Sequence, residues 1–114
     1  MDISMRLQAS PFERIRKGTK TLEVRLNDEK RQKISVGDRI RFYKLPEQED
    51  NVIAEVIGLH PYDTFREMLD DFTMKHFGLP DDYSVEEFIY GMYKHYSKED
   101  EMKYGALAIE IKVV

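Results

Sequence analysis

The sequence has no cysteine, which excludes a disulfide framework, a thiolate nucleophile and any cysteine-based metal site. It has no uninterrupted apolar stretch approaching the roughly 20 residues that span a bilayer. The opening from Met1 to Arg6 lacks the basic-then-apolar order of a secretory signal. No membrane partner is expected, and the expected location is cytoplasmic. Internal repeats, low-complexity tracts and Gly/Ser linkers are also missing, so the reading is one domain over residues 1–114. There is no Gly-rich phosphate loop and no Ser-His-Asp signature. The histidines His60, His76 and His95 stand 16 and 19 residues apart, a spacing that makes no metal pair on a helix or turn. Neither a metal nor a cofactor is expected. The acidic pairs Asp70-Asp71 and Asp81-Asp82 read as solvated surface.

What is present is an ordinary globular composition with an uneven charge. At 41% hydrophobic residues the chain can bury a core and need not be disordered. The net charge of −4 argues against a nucleic-acid partner until its distribution is examined. From Arg14 to Lys44 eleven Lys/Arg face four Asp/Glu, whereas from Glu47 to Glu101 four face fifteen. Such a polarity can steer an anionic ligand to one face, although two merely solvated halves would look the same.

Local patterns predict a short first strand over Ile3 to Leu7. A helix should follow, capped by Ser10 with Pro11 at its first position and Glu13 returning to the cap. Phe12 and Ile15 would face the core and Gly18 would end the helix in the left-handed conformation. Thr19 to Leu26 alternates as a strand, with Lys20, Leu22, Val24 and Leu26 on one face and Thr21, Glu23 and Arg25 on the other. A short helical turn starting at Asn27 or Asp28 leads through Val36-Gly37-Asp38 to strands over Arg39 to Leu45 and Val52 to Leu59. Then Thr64 and Ser84 open capping boxes, and Ser97 can cap a last helix through Met102. The stripe Val85, Phe88, Ile89, Met92, Tyr93 and Tyr96 reads as core-facing. Tyr104 to Val113 closes as a strand. This order describes an α+β protein.

Glu23 and Arg25, two apart on a strand, point to one side and can form a bidentate pair. On an exposed surface such a pair is worth only about 0–1 kcal/mol, and spacing alone does not raise it above that. The run Pro11-Phe12, Ile15, Gly18, Lys20-Thr21, Glu23, Arg25, followed by Asp28, Val36-Gly37-Asp38, Ile40 and Phe42, resembles the ASCH domain family of the PUA-like superfamily. The ending from Tyr104 to Ile111 is similar to that family's closing strand. The resemblance implies a PUA-like small β-barrel flanked by short helices, with an acidic helical insertion before the last strand. It further implies a cleft floored by Lys20, Glu23 and Arg25 that takes single-stranded RNA, a nucleotide or a nucleoside. Phe42, Tyr43, Tyr62 and Tyr104 are candidates to stack on bases, with barrel lining as the plainer role for each.

One branch of the superfamily, an N4-acetylcytidine amidohydrolase, is similar at Gly18, Lys20, Arg25 and Gly37-Asp38. Its threonine nucleophile stands two residues before the arginine, beside a lysine, with a carboxylate from a later segment. Here Glu23 occupies that place, Thr21 stands four residues before Arg25, and Asp81 is the best candidate for the carboxylate. The alternative to a binding cleft is therefore a hydrolase acting on a modified nucleoside or on RNA. In that case Lys20 and Glu23 are the catalytic candidates, with Glu23 as base for water and Lys20 and Arg25 stabilising developing charge.

Overall fold

The computed structural model describes residues 2–114. Its first strand, β1 (Asp2–Leu7), buries Met5 and Leu7 and leaves Ser4 and Arg6 exposed, the period-2 pattern of a half-buried strand. Helix α1 (Ala9–Lys17) follows after a single residue. Phe12 and Ile15 are fully buried on it, and it ends at Gly18 with φ 82°, in the left-handed region as expected. The helix begins earlier than its sequence suggests. Gln8, not Ser10, is the N-cap, with no side-chain cap bond, because β1 runs almost directly into the helix. Pro11 then sits within the first turn, where its missing N–H costs nothing. Glu13 turns outward to Arg16 and to Lys44 Nζ at 2.9 Å instead of closing a capping box.

Strands β2 (Leu22–Leu26), β3 (Arg39–Lys44), β4 (Asn51–Tyr62) and β5 (Ala106–Val113) complete a five-stranded sheet in the order β1-β3-β4-β5-β2. β1 runs parallel to β3 and every other pairing is antiparallel. β4 continues three residues beyond Leu59, through Pro61. Past Glu55 its registered partner is β5 alone, which leaves one side with no ladder for the proline to break. Between β2 and β3, Asp28 accepts a hydrogen bond from the amide of Arg31 at 3.0 Å and starts a single 3-10 turn over Arg31–Lys33.

Three helices fill the interval between β4 and β5: α2 (Phe65–Asp71), α3 (Val85–Tyr93) and α4 (Lys98–Tyr104). Each has the cap its sequence announces. Thr64, Ser84 and Ser97 hydroxyls accept from the amides of Glu67, Glu87 and Asp100 at 3.0, 3.2 and 3.0 Å. α4 runs to Tyr104 rather than Met102, so the last strand begins at Ala106. None of the helices is long and apolar enough to cross a membrane among the described residues.

The sheet is packed on both faces. On one, Phe12, Ile15, Ile40, Phe42, Val56, Ile109 and Ile111 form a core under α1. On the other, Leu22, Val24 and Leu26 meet Phe65, Met68 and Phe77 of the helical segment. β5 serves both cores by alternation: Leu107, Ile109 and Ile111 turn to the first, the small Ala106 and Ala108 to the second. The small residues let the helices approach closely. The two edge strands lie at opposite ends of the order, yet Arg25 Nη2 on β2 donates to the carbonyl of Arg6 on β1 at 3.2 Å. The sheet therefore curls into a half-barrel whose seam is bridged by a side chain, not by a backbone ladder. This is the α+β, barrel-like architecture with an acidic helical insertion.

Candidate functional site

The seam between β1 and β2 is where the charged face of β2 lies. Leu22, Val24 and Leu26 are drawn into the helical core, which sends Glu23 and Arg25 to the opposite face, in register with Ile109 and Leu107 of β5. Strict alternation would turn Lys20 away from them. Lys20, however, makes only an isolated bridge to Phe77, and regular pairing starts at Leu22. The break across Thr21 frees Lys20 to swing round, and its Nζ meets Glu23 Oε1 at 2.8 Å. Arg25 places Nε and Nη2 on the other oxygen, Oε2, each at 2.8 Å. The expected two-oxygen fork of Arg25 on Glu23 does not form, because lysine holds one of the two oxygens.

Glu23 is buried at the centre of this triad, and the two cations that flank it are half-buried. Glu23 is 3% exposed, and the Lys20 and Arg25 side chains are 10% and 14% exposed. Burial alone would push the Glu23 carboxyl up, but attraction to Lys20 and Arg25 and their hydrogen bonds outweigh it and hold the group below the usual carboxylate range. Burial works against the Arg25 charge too, and Glu23, then Tyr96, more than compensate, so its guanidinium is held above its ordinary value. An ion pair of this kind is costly to break: removing one partner of a buried pair typically costs about 3–5 kcal/mol.

The triad forms the floor of a cleft of about 540 Å³. One bank is the β1–α1 junction, with Arg6, Gln8, Pro11 and Arg14; the other is the helical insertion, with Phe77, Leu79, Phe88, Met92, His95 and Tyr96. Five Lys/Arg side chains line it against one carboxylate, Glu23, so the cleft favours an anion even though the chain is acidic overall. The far bank is aromatic. Phe77 and Phe88 rings lie 4.9 Å apart, and Tyr96 stacks on Phe65 at 5.8 Å beside Arg25 in the cleft lining.

The structure thus brings together Lys20, Glu23 and Arg25. The other expected participants lie elsewhere. Asp81, 67% exposed, stands 3.6 Å from Lys75 Nζ and is not part of the cleft. The Thr21 hydroxyl points to the carbonyl of His76 at 3.5 Å. Phe42 is sealed in the first core, and Tyr43 faces neither bank. Tyr62 donates to Asp71 at 2.7 Å, and Tyr104 packs on the helical core. Of the histidines, His60 meets Glu110 at 3.0 Å, His76 meets Thr73, and His95 lines the cleft. Among the described residues no three His, Asp or Glu side chains gather as a metal site would need.

Two of the rings that reach the cleft, Phe88 and Tyr96, belong to the stripe that sequence periodicity assigns to the core, whereas Phe77 lies outside it and Val85, the first residue of the stripe, is exposed instead of core-facing. Phe88, Met92 and Tyr96 pack on the helical core and also present an edge to the cleft. The available signal was the length of that stripe: Tyr96 continues it beyond the end of α3 at Tyr93, where pure core packing by the helix no longer requires a ring.

The comparisons with known proteins agree with this architecture. No curated protein matches the chain. Among solved structures, the hypothetical protein PH0355 is 37% identical, with a TM-score of 0.86 and full coverage of both chains. Protein PF0455 from Pyrococcus furiosus is 36% identical, with a TM-score of 0.76, covering 100% of this chain and 98% of that one. The ASCH protein of Zymomonas mobilis shares the fold at 15% identity and a TM-score of 0.62, over 97% of this chain and 66% of that one. The ASCH domain model matches residues 5–114. With nearly its whole length matched and the half-barrel in place, the chain belongs to the ASCH domain family.

Proposed function

We propose that the seam cleft binds a nucleobase-bearing ligand, a nucleotide or a single-stranded RNA. The observation that carries this reading is the pairing of an ionic floor with an aromatic bank. Lys20, Glu23 and Arg25 line the floor of a cleft whose other side carries Phe77, Phe88 and Tyr96. A planar base can stack against rings of that kind, an interaction worth about 1–3 kcal/mol per base. Lys20, Arg25 and Arg14 supply donors for phosphate or base acceptors, and Glu23 holds Lys20 and Arg25 in place.

A hydrolytic role finds less support in the geometry. Both oxygens of Glu23 are already engaged by cations, and its carboxyl is held ionised and below the usual range, which makes it a weak base for water. The hydroxyls close to it in sequence, Thr19 and Thr21, donate to the carbonyls of Arg14 and His76. The expected result with acetylated cytidine or RNA is recovery of unchanged material by chromatography.

Titration of fluorescently labelled short RNAs at low salt tests the binding reading. Wild type should bind, and Arg25→Ala and Lys20→Ala, each verified as folded by circular dichroism, should weaken binding by roughly tenfold or more. Absence of binding by wild type, or binding by both folded variants as tight as that of wild type, would overturn it.

A further inference from the structure

A second hollow, of about 270 Å³, opens along β1 on the side of the 3-10 turn. Arg6 and Arg31 line both it and the seam cleft, so the two are neighbouring stretches of one groove. Its remaining charged lining is Lys30 and Lys33, both exposed and in no ion pair among the described residues. No carboxylate lines this stretch. Asp28 is engaged by Arg31 Nη1 at 3.1 Å, and Glu29 lies within electrostatic reach of Lys103. Arg31 keeps its Nε buried with no acceptor, a donor left over at the junction of the two hollows. Apolar Ile3 and Ile34 form the rest of the wall.

A single phosphate would need one such cluster, and the seam cleft already has one. A row of cations leading away from it suits a chain of phosphates. We infer that the groove carries the phosphodiester backbone of a single-stranded RNA whose base occupies the seam cleft, with Arg6, Lys30, Arg31 and Lys33 meeting phosphates beyond the bound nucleotide. The inference rests on the cleft reading above and makes the preferred ligand an oligonucleotide instead of a free nucleotide.

The test compares the four nucleoside 5′-monophosphates with a mixed-sequence RNA pentanucleotide, on wild type and on Lys30→Ala/Lys33→Ala. Both lysines are exposed, so the variant should fold. Wild type should bind the pentanucleotide at least roughly tenfold more tightly than any monophosphate. The double variant should lose most of that advantage, with a salt dependence shallower by about 1.4 in log–log slope for two lost contacts, and should bind monophosphates as wild type does. Equal affinity of wild type for both ligands, or a double variant with unchanged pentanucleotide binding, overturns the groove. Failure of the cleft reading shows separately, as no monophosphate binding or none that depends on Arg25. An acidic peptide such as a short polyglutamate that binds as tightly, with the same dependence on Lys30 and Lys33, would overturn the assignment to RNA.

Discussion

Glu23 is the residue on which the site turns, because its two oxygens hold two cations in place within a buried floor. Its role is to position Lys20 and Arg25. Replacing it by glutamine keeps the shape but leaves both cations without their counter-charge. Glu23→Gln should lower stability at pH 7 by about 3 kcal/mol, read from urea denaturation midpoints. The pH dependence follows from the lowered carboxyl. A carboxyl depressed on folding contributes stability that is fully present above its unfolded pKa and lost as pH falls through its folded pKa. The gap between wild type and variant should therefore be constant near neutrality and shrink below the ordinary carboxylate range. A gap that stays constant down to strongly acidic pH would show that folding does not lower the Glu23 carboxyl. Tyr96 works at the same scale: its ring packs on Phe65 and also lines the cleft with Arg25.

At the scale of elements, the cleft depends on α3, a helix of nine residues. A helix this short is not stable alone and is held by its packing and its cap. Ser84 supplies the cap, accepting from Glu87 at 3.2 Å, with Glu86 and Glu87 in the first turn favourable to the helix dipole. Ser84→Ala should lower global stability by about 1 kcal/mol. It should also raise amide exchange in α3 and weaken RNA binding, while exchange in β4 and β5 changes only as the global loss requires. Exchange that rises uniformly would mean that α3 does not open independently. The closing turn, Gly105, shows the same economy of space. With φ 77° and ψ −174° it lies where only glycine is comfortable, and a Cβ there would sit 2.4 Å from the Tyr62 carbonyl. It delivers the chain from α4 directly into β5, so the helical insertion is anchored against the sheet at both ends.

Across the whole molecule, charge and architecture coincide. The basic stretch from Arg14 to Lys44 supplies β2, the 3-10 turn and much of the cleft and groove, whereas the segment between β4 and β5 carries eleven Asp/Glu against five Lys/Arg. The insertion meets the cleft with its aromatic edge and turns acidic residues such as Glu86 and Asp81 to solvent. A ligand approaching with negative charge is thus steered to the seam and repelled elsewhere. The association constant for short RNA should fall linearly with salt on a log–log scale, with a slope of about −0.7 for each phosphate contacted. Fluorescence titrations between low and physiological salt measure it. A slope near zero would mean that the cations of the cleft and groove do not meet phosphates.

Much of the fold was legible because it is local. The three hydroxyl caps, the left-handed Gly18 and the alternation of β2 each depend on residues a few positions apart. A periodic pattern or a capping hydroxyl carries that information directly. What the sequence could not carry is contact between distant segments. Ser10 has the chemistry of a cap but lost the role because β1 ends so close to the helix. Lys20 lay on the wrong face by alternation and reached Glu23 only because its pairing to Phe77 interrupts the strand. Asp81 has the right chemistry but stays in solvent. Phe88 and Tyr96 became cleft walls because the insertion folds back over the edge of β2. Sequence alone determined an α+β ASCH domain with a charged β2 face. Tertiary structure decided that this face lines a seam, since whether Glu23, Lys20 and Arg25 face bulk water or one another depends on how the sheet curls to bring Arg25 within 3.2 Å of Arg6.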